Sequence, residues 1–212
     1  YKRQPVSRIG LDYLLDSTVD WDQFDFSTPD VMTLKGRNHL HPYQRTALDH
    51  VVEGFETHDR GKLIMACGTG KTFTSLKIAE RLAGAGGRVL FLVPSIALLS
   101  QSLREWTGES EVPIRSFAVC SDRKVGKGRG GEGEDISVVD LAIPATTDPE
   151  ALAVALTRPG SSAEGSHPMT VVFATYQSID VIHRAQGEGG APGFDLIICD
   201  EAHRTTLSLI HI

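Results

Sequence analysis

A glycine-rich turn wedged between an apolar run and a helical pattern constrains this chain more than any other feature. Lys62-Leu63-Ile64-Met65-Ala66 leads into Cys67-Gly68-Thr69-Gly70-Lys71-Thr72. From Lys71 to about Ala83, the residues Phe73, Leu76, Ile78, Ala79 and Leu82 recur at helical spacing. A strand, a glycine turn and a helix in that order make a phosphate cradle. The glycines let the backbone turn tightly and bring N–H groups close to anionic oxygens, and the helix N-terminus adds positive potential. Gly68, Thr69, Gly70, Lys71 and Thr72 are therefore candidate nucleotide-binding residues. Lys71 is placed to reach the β and γ phosphates, and the Thr72 hydroxyl to ligate Mg²⁺. The competing reading is a glycine turn with a chance Lys-Thr.

The rest of the chain repeats the same rhythm. Val89–Val93 is a second apolar strand closed by Pro94, followed by a helix from Ile96 to Trp106 and a strand from Ile114 to Cys120. Two later strands, Thr170–Ala174 and Phe194–Cys199, flank a helix from about Gln177 to Ala185. A further helix follows Pro42, with Tyr43, Ala47, Leu48, Val51, Val52 and Phe55 on one face. Near-continuous apolar strands alternating with helices predict an α/β fold with a parallel sheet covered on both faces.

Residues 121–168 interrupt that rhythm. Gly126-Lys127-Gly128-Arg129-Gly130-Gly131-Glu132-Gly133 reads as a flexible loop, and Thr147-Asp148-Pro149-Glu150 as a capped start of a short helix through Leu156. The segment is expected as a Gly-rich surface insertion. Its basic residues Arg123, Lys124, Lys127 and Arg129 suit either a nucleic-acid backbone or plain solvation.

A second chemical motif stands at the end of the last strand. Asp200-Glu201-Ala202-His203 follows the apolar Leu196–Cys199, and an open α/β sheet presents strand C-termini at its ligand crevice. Asp200 suits the Mg²⁺ hydration shell, and Glu201 suits orienting and activating a water. An acidic pair at a helix N-terminus that merely complements the dipole is the bland alternative.

Composition adds boundaries. The chain has 212 residues, 41% hydrophobic and 23% charged, with net charge −6. Bulk basic attraction to nucleic acid is therefore not expected, although backbone amides and hydroxyls also contact phosphates. Cys67, Cys120 and Cys199 lack metal-ligand spacing and are expected as buried small hydrophobes in a reducing compartment. The chain begins without Met, lacks a signal-peptide core and has no apolar run long enough for a membrane span; it reads as an internal cytoplasmic fragment.

Taken together, these motifs resemble the first RecA-like motor domain of DEAH-type, superfamily-two helicases and translocases, in the branch that contains restriction-enzyme motors. The resemblance covers about residues 38–206. Met65 stands where the literal phosphate-loop pattern has Gly, a position that is relaxed in this superfamily. His41-Pro42-Tyr43-Gln44 resembles the upstream glutamine motif, which implies that Gln44 reads adenine. Val93-Pro94-Ser95-Ile96-Ala97-Leu98-Leu99-Ser100-Gln101 resembles motif Ia, and Ala174-Thr175-Tyr176-Gln177-Ser178 a strand-gripping motif. Ser95, Gln101 and Thr175 are thus implied nucleic-acid contacts, though Ser95 and Thr175 equally suit helix N-capping. His203 is implied as the residue coupling the nucleotide and nucleic-acid sites.

The phrasing is closest to single-polypeptide type I restriction–modification enzymes. It implies ATP and Mg²⁺ as cofactors, double-stranded DNA tracked along its backbone as partner, and no membrane association. Lys71, Asp200 and Glu201 would be the catalytic residues. The alternatives are a repair or remodelling ATPase of the same superfamily, and a nucleotide-gated binding module without motor activity.

The expected organisation is a flank at 1–38, the ATP-binding domain at 39–206 with its insertion, and a non-native tail at 207–212. Leu207-Ser208-Leu209-Ile210-His211-Ile212 reads as the translation of CTG TCT CTT ATA CAC ATC, a transposase adapter sequence. A second RecA-like domain and its arginine finger would lie beyond this chain. Without that finger, worth about 10³ to 10⁵ in rate, the chain alone is expected to bind nucleotide but to hydrolyse it poorly.

Overall fold

The computed structural model describes residues 19–33, 36–120, 145–158 and 167–202. The chain divides into two units, residues 1–39 and 40–212. In the first, Trp21–Gln23 forms a 3-10 turn whose N-cap, Asp20, accepts a hydrogen bond from the Asp22 N–H. Edge-to-face contacts run from Trp21 to Phe24 and from Phe24 to Phe26, with ring centroids 5.2 and 5.0 Å apart.

The second unit is the α/β domain. Its elements are α1 (Pro42–Phe55), α2 (Lys71–Leu82), β1 (Arg88–Val93), α3 (Ile96–Glu109), β2 (Ile114–Val119), β3 (Ala145–Thr146), α4 (Pro149–Thr157), β4 (Met169–Thr175), a 3-10 turn (Tyr176–Ser178), α5 (Ile179–Gly187) and β5 (Leu196–Cys199). The strands form one sheet in the order β3-β2-β4-β1-β5. Every pairing is parallel, with Phe91 opposite Phe173 and Ile198. The expected fold class therefore holds.

Alternation along the strands sends side chains to two cores. Val89, Phe91 and Val93 of β1 join Met169, Val171 and Phe173 of β4 under α2 and α3. Leu90 and Leu92 join Val172 and Ala174 under α4 and α5. The first core centres on Trp106, fully buried and edge-on to Phe91 and Phe173 at 5.0 and 5.5 Å. Burying each such side chain contributes about 1.5–3 kcal/mol.

Three expectations are corrected here. Lys62–Ala66, expected as a buried strand, is unpaired, with Leu63 43% and Ile64 90% exposed. Among the described residues β5 has no neighbour on its outer side, and Ile197 is 56% exposed there. An apolar run becomes a strand only where a partner strand satisfies its backbone.

Residues 145–157, expected as part of a surface elaboration, instead supply β3 and α4, and Leu152, Ala153 and Leu156 are buried in the second core. Asp148 caps α4 by accepting from the Glu150 and Ala151 N–H groups. The Gly-rich run at 126–133 and the basic residues Arg123, Lys124, Lys127 and Arg129 lie outside the described residues, as do His203 and the tail 207–212.

The third correction concerns cysteine. Cys120 is buried, but Cys67 and Cys199 are exposed. Cys199 ends β5, and Cys67 opens the glycine turn.

Candidate functional site

The glycine turn is built as its sequence requires. Gly68 and Gly70 adopt φ +74° and +72°, a left-handed conformation that side chains resist. Gly70 is the N-cap of α2, so Lys71 and Thr72 occupy its first turn. The Thr69 hydroxyl closes the turn by donating to the Ala66 carbonyl at 2.7 Å. The first N–H groups of a helix have no partner within it, so this end of α2 presents donors and positive potential.

A bracket from α1 holds the turn from outside. Gln44, 3% exposed, donates from Nε2 to the Thr69 carbonyl at 3.0 Å, while its Oε1 accepts from the His41 N–H at 2.8 Å. Tyr43 Oη donates to the same Thr69 carbonyl at 3.2 Å. In this geometry both ends of the Gln44 amide are engaged inside the protein. A Cβ on Gly70 would lie 2.5 Å from Gln44 Nε2, so the bracket also requires glycine there.

The acidic motif closes on the turn from the sheet. Lys71 Nζ lies 3.3 Å from Glu201 Oε1, joining two motifs separated by 130 positions. Their side chains are 36% and 22% exposed, so the pair is worth about 1 kcal/mol or less and is readily exchanged for another anion. The hydrogen bond to Glu201 raises the Lys71 pKa, keeping it cationic. Burial lifts the Asp200 carboxyl above the ordinary aspartate range, and the negative charge of Glu201 adds to that; the Glu201 N–H, donating to Asp200 Oδ1, and the Lys71 charge act in the opposite direction.

The remaining predicted contacts lie along the same rim. Ser95 is exposed and caps α3, its Oγ accepting from the Leu98 N–H at 3.3 Å. Gln101 is exposed on that helix. Thr175 is only 4% exposed, and its hydroxyl pairs with Ser178 Oγ at 3.1 Å. It neither caps a helix through its side chain nor faces solvent in this state.

Three residues at the site carry no sequence signal of their role. Tyr43 holds the glycine turn. Trp106 donates its indole N–H to the Thr72 carbonyl. Tyr176 donates to the Asp200 carbonyl. Tyr176 and Tyr43 do stand inside recognisable motifs, but nothing in their spacing says what they bind.

A family described as "Type III restriction enzyme, res subunit" matches residues 37–209. The chain belongs to that family. Its fold and its paired motifs are those of a superfamily-two helicase motor domain. Among solved structures, this chain is similar to the ATP-dependent Type ISP restriction-modification enzyme LlaBIII bound to DNA. The match is 46% identical with a TM-score of 0.78, covering 93% of this chain and 12% of that one. It is similar also to a nuclease-deletion mutant of the Type ISP enzyme LlaGI in complex with a DNA substrate mimic, at 46% identity and TM-score 0.66, covering 82% and 16%. A curated relative, "Probable helicase A859L" of African swine fever virus, is 28% identical over 162 residues, 76% of this chain and 16% of that protein. The chain thus spans less than a fifth of the proteins it matches. Among the described residues no helix is long and apolar enough to cross a membrane.

Proposed function

We propose that this domain is the ATP-binding half of a DNA-translocating motor in a restriction–modification enzyme. The 3.3 Å approach of Lys71 to Glu201 carries the reading, because it brings the phosphate-loop lysine and the DEAH glutamate to one point at the C-terminal rim of the sheet. The likeness to two restriction-modification enzymes, both in complex with DNA or a DNA mimic, supports the choice of nucleic acid.

The residues fit a magnesium nucleotide. The left-handed glycines leave a cradle without Cβ atoms, the α2 N-terminus supplies donors, and two carboxylates face a lysine across it. Gly68, Thr69, Gly70 and Lys71 bind the ATP phosphates. Thr72 and Asp200 would hold Mg²⁺, which supplies charge neutralisation on the phosphate oxygens. Phosphate draws Lys71 away from Glu201, whose carboxylate then orients a water. That water's oxygen bonds to the γ-phosphorus while the bridging oxygen leaves with ADP, and the water proton passes to Glu201. An adenine contact by Gln44 requires the Thr69 carbonyl to release its amide. Ser95 and Gln101 grip the DNA backbone from α3, and Thr175 joins them once its Ser178 contact opens. His203 couples the two sites.

The test is phosphate release by the full-length protein carrying this domain, with and without double-stranded DNA. DNA should stimulate turnover, and Lys71→Ala should abolish it with the melting temperature unchanged. Turnover indifferent to DNA, or undiminished ATP binding by Lys71→Ala, would contradict the assignment.

A further inference from the structure

Glu201 is the only non-glycine residue with positive φ among the described residues, at +52°. A side chain in that region costs about 1–2 kcal/mol, and such strain persists only where surroundings impose it. The peptide plane between Asp200 and Glu201 shows what imposes it. Its N–H, on Glu201, donates to Asp200 Oδ1 at 3.0 Å. Its C=O, on Asp200, accepts from Tyr176 Oη at 2.7 Å. One residue back, the Asp200 N–H donates to the Leu92 carbonyl at 2.8 Å, extending the ladder from β1. Both ends of the plane are therefore tied, and the Tyr176 bond reaches it from a distant element.

Tyr176 follows the last residue of β4, and β4 is separated from β5 by β1. The phenol thus spans the C-terminal end of β1 to reach the acidic motif. Its ring is half-buried against the second core, so its own orientation is set by packing.

We propose that Tyr176 is a positioning residue for catalysis: its hydroxyl fixes the Asp200–Glu201 peptide and thereby holds the Glu201 carboxylate where it orients water. Without that bond, the peptide rotates to relieve the left-handed strain and the carboxylate leaves its place. The inference rests on the hydrolytic reading of the site. Because Tyr176 stands directly after Thr175, movement of that segment reaches Glu201 through one hydrogen bond.

The experiment is a kinetic cycle in the full-length protein with Tyr176→Phe, Glu201→Gln and the double variant, measured with DNA present. Phe keeps the ring and removes the hydroxyl, with its bond to the Asp200 carbonyl and its contact with Cys199. A 1 Å misplacement of a reacting group can cost on the order of 100-fold. Tyr176→Phe should therefore lower kcat about 10-fold to 100-fold, with KM for ATP within about twofold and the melting temperature unchanged. In the Glu201→Gln background the same substitution should add little, since the proposed role runs through the Glu201 carboxylate. A wild-type kcat in Tyr176→Phe, or an equal additional loss in the double variant, would overturn the positioning role while leaving the functional reading intact. A wild type without ATPase activity, or Lys71→Ala as active as wild type, would overturn the functional reading and this role with it.

Discussion

The indole N–H of Trp106 donates to the carbonyl oxygen of Thr72 at 3.1 Å, tying the third helix to the first turn of the phosphate-loop helix. Phe73, the next residue, donates its backbone N–H to the carboxylate of Glu105. The helix that starts at Ser95, a proposed DNA contact, therefore ends its reach on the helix that starts at the phosphates. Trp106→Phe removes the donor and part of the buried volume. We expect a loss of about 2 kcal/mol in urea denaturation. An unchanged midpoint would show that the Thr72 contact stabilises nothing.

Gly70→Ala tests the cradle directly. The new methyl group meets Gln44 Nε2 at 2.5 Å and a backbone at φ +72°. Strain of about 1–2 kcal/mol at the N-cap of α2 should lower nucleotide affinity about 10-fold. Titration with a fluorescent ATP analogue measures it, and affinity equal to wild type would refute the cradle geometry.

Ser95 has two duties that substitution can split. Ser95→Ala loses the cap on Leu98 and should cost about 1 kcal/mol in stability. Ser95→Asp keeps a capping oxygen but places negative charge at the proposed DNA backbone. Its stability should match wild type while DNA affinity falls. If both variants bind DNA as wild type does, Ser95 is a cap alone.

A buried ionic knot anchors the far end of α2. Glu80 Oε2 accepts from Lys77 Nζ at 2.9 Å, and its Oε1 accepts from Ser110 Oγ and the Glu111 N–H at 2.9 and 2.6 Å. Lys77 and Glu80 side chains are each 9% exposed. Glu80→Ala leaves the ammonium with the exposed Glu111 and should cost about 3–5 kcal/mol; adding Lys77→Met should restore part of it. Thermal melting of both variants checks the order.

Glu105 carries a pH signature. Burial raises its pKa, with the nearby Glu109 adding to the shift and the Phe73 N–H opposing it. A raised folded value means the ionised carboxylate costs stability at neutral pH. That penalty disappears as pH falls from the folded value to the unfolded value of about 4.3. Glu105→Gln should therefore melt higher than wild type at pH 7, and the difference should vanish near pH 4. A constant difference across that range would contradict the burial of the charge.

The sheet was legible where burial alone decides it. Val89–Val93 and Val171–Ala174 are apolar at every position, as a parallel strand covered on both faces requires. The glycine turn was legible because its backbone demands are local. Lys62–Ala66 has the composition of a strand without being one, because an apolar run shows a need for burial but not whether a partner strand stands beside it. The core role of Leu152, Ala153 and Leu156 was hidden by the Gly-rich stretch before them, which drew the whole segment toward a surface reading. The contacts of Trp106 and Tyr176 join residues 34 and 24 positions apart by single hydrogen bonds, and no periodicity encodes such a pair.

The outer side of the last strand has a consequence for handling the protein. Ile197 stands exposed on a strand that has no outer neighbour among the described residues, and the extended Leu63-Ile64 stretch is exposed as well. Any apolar β segment can complete such an edge, including that of a second molecule. Concentrated solutions of this chain will tend to self-associate there, and a lysine at position 197 would keep them monodisperse.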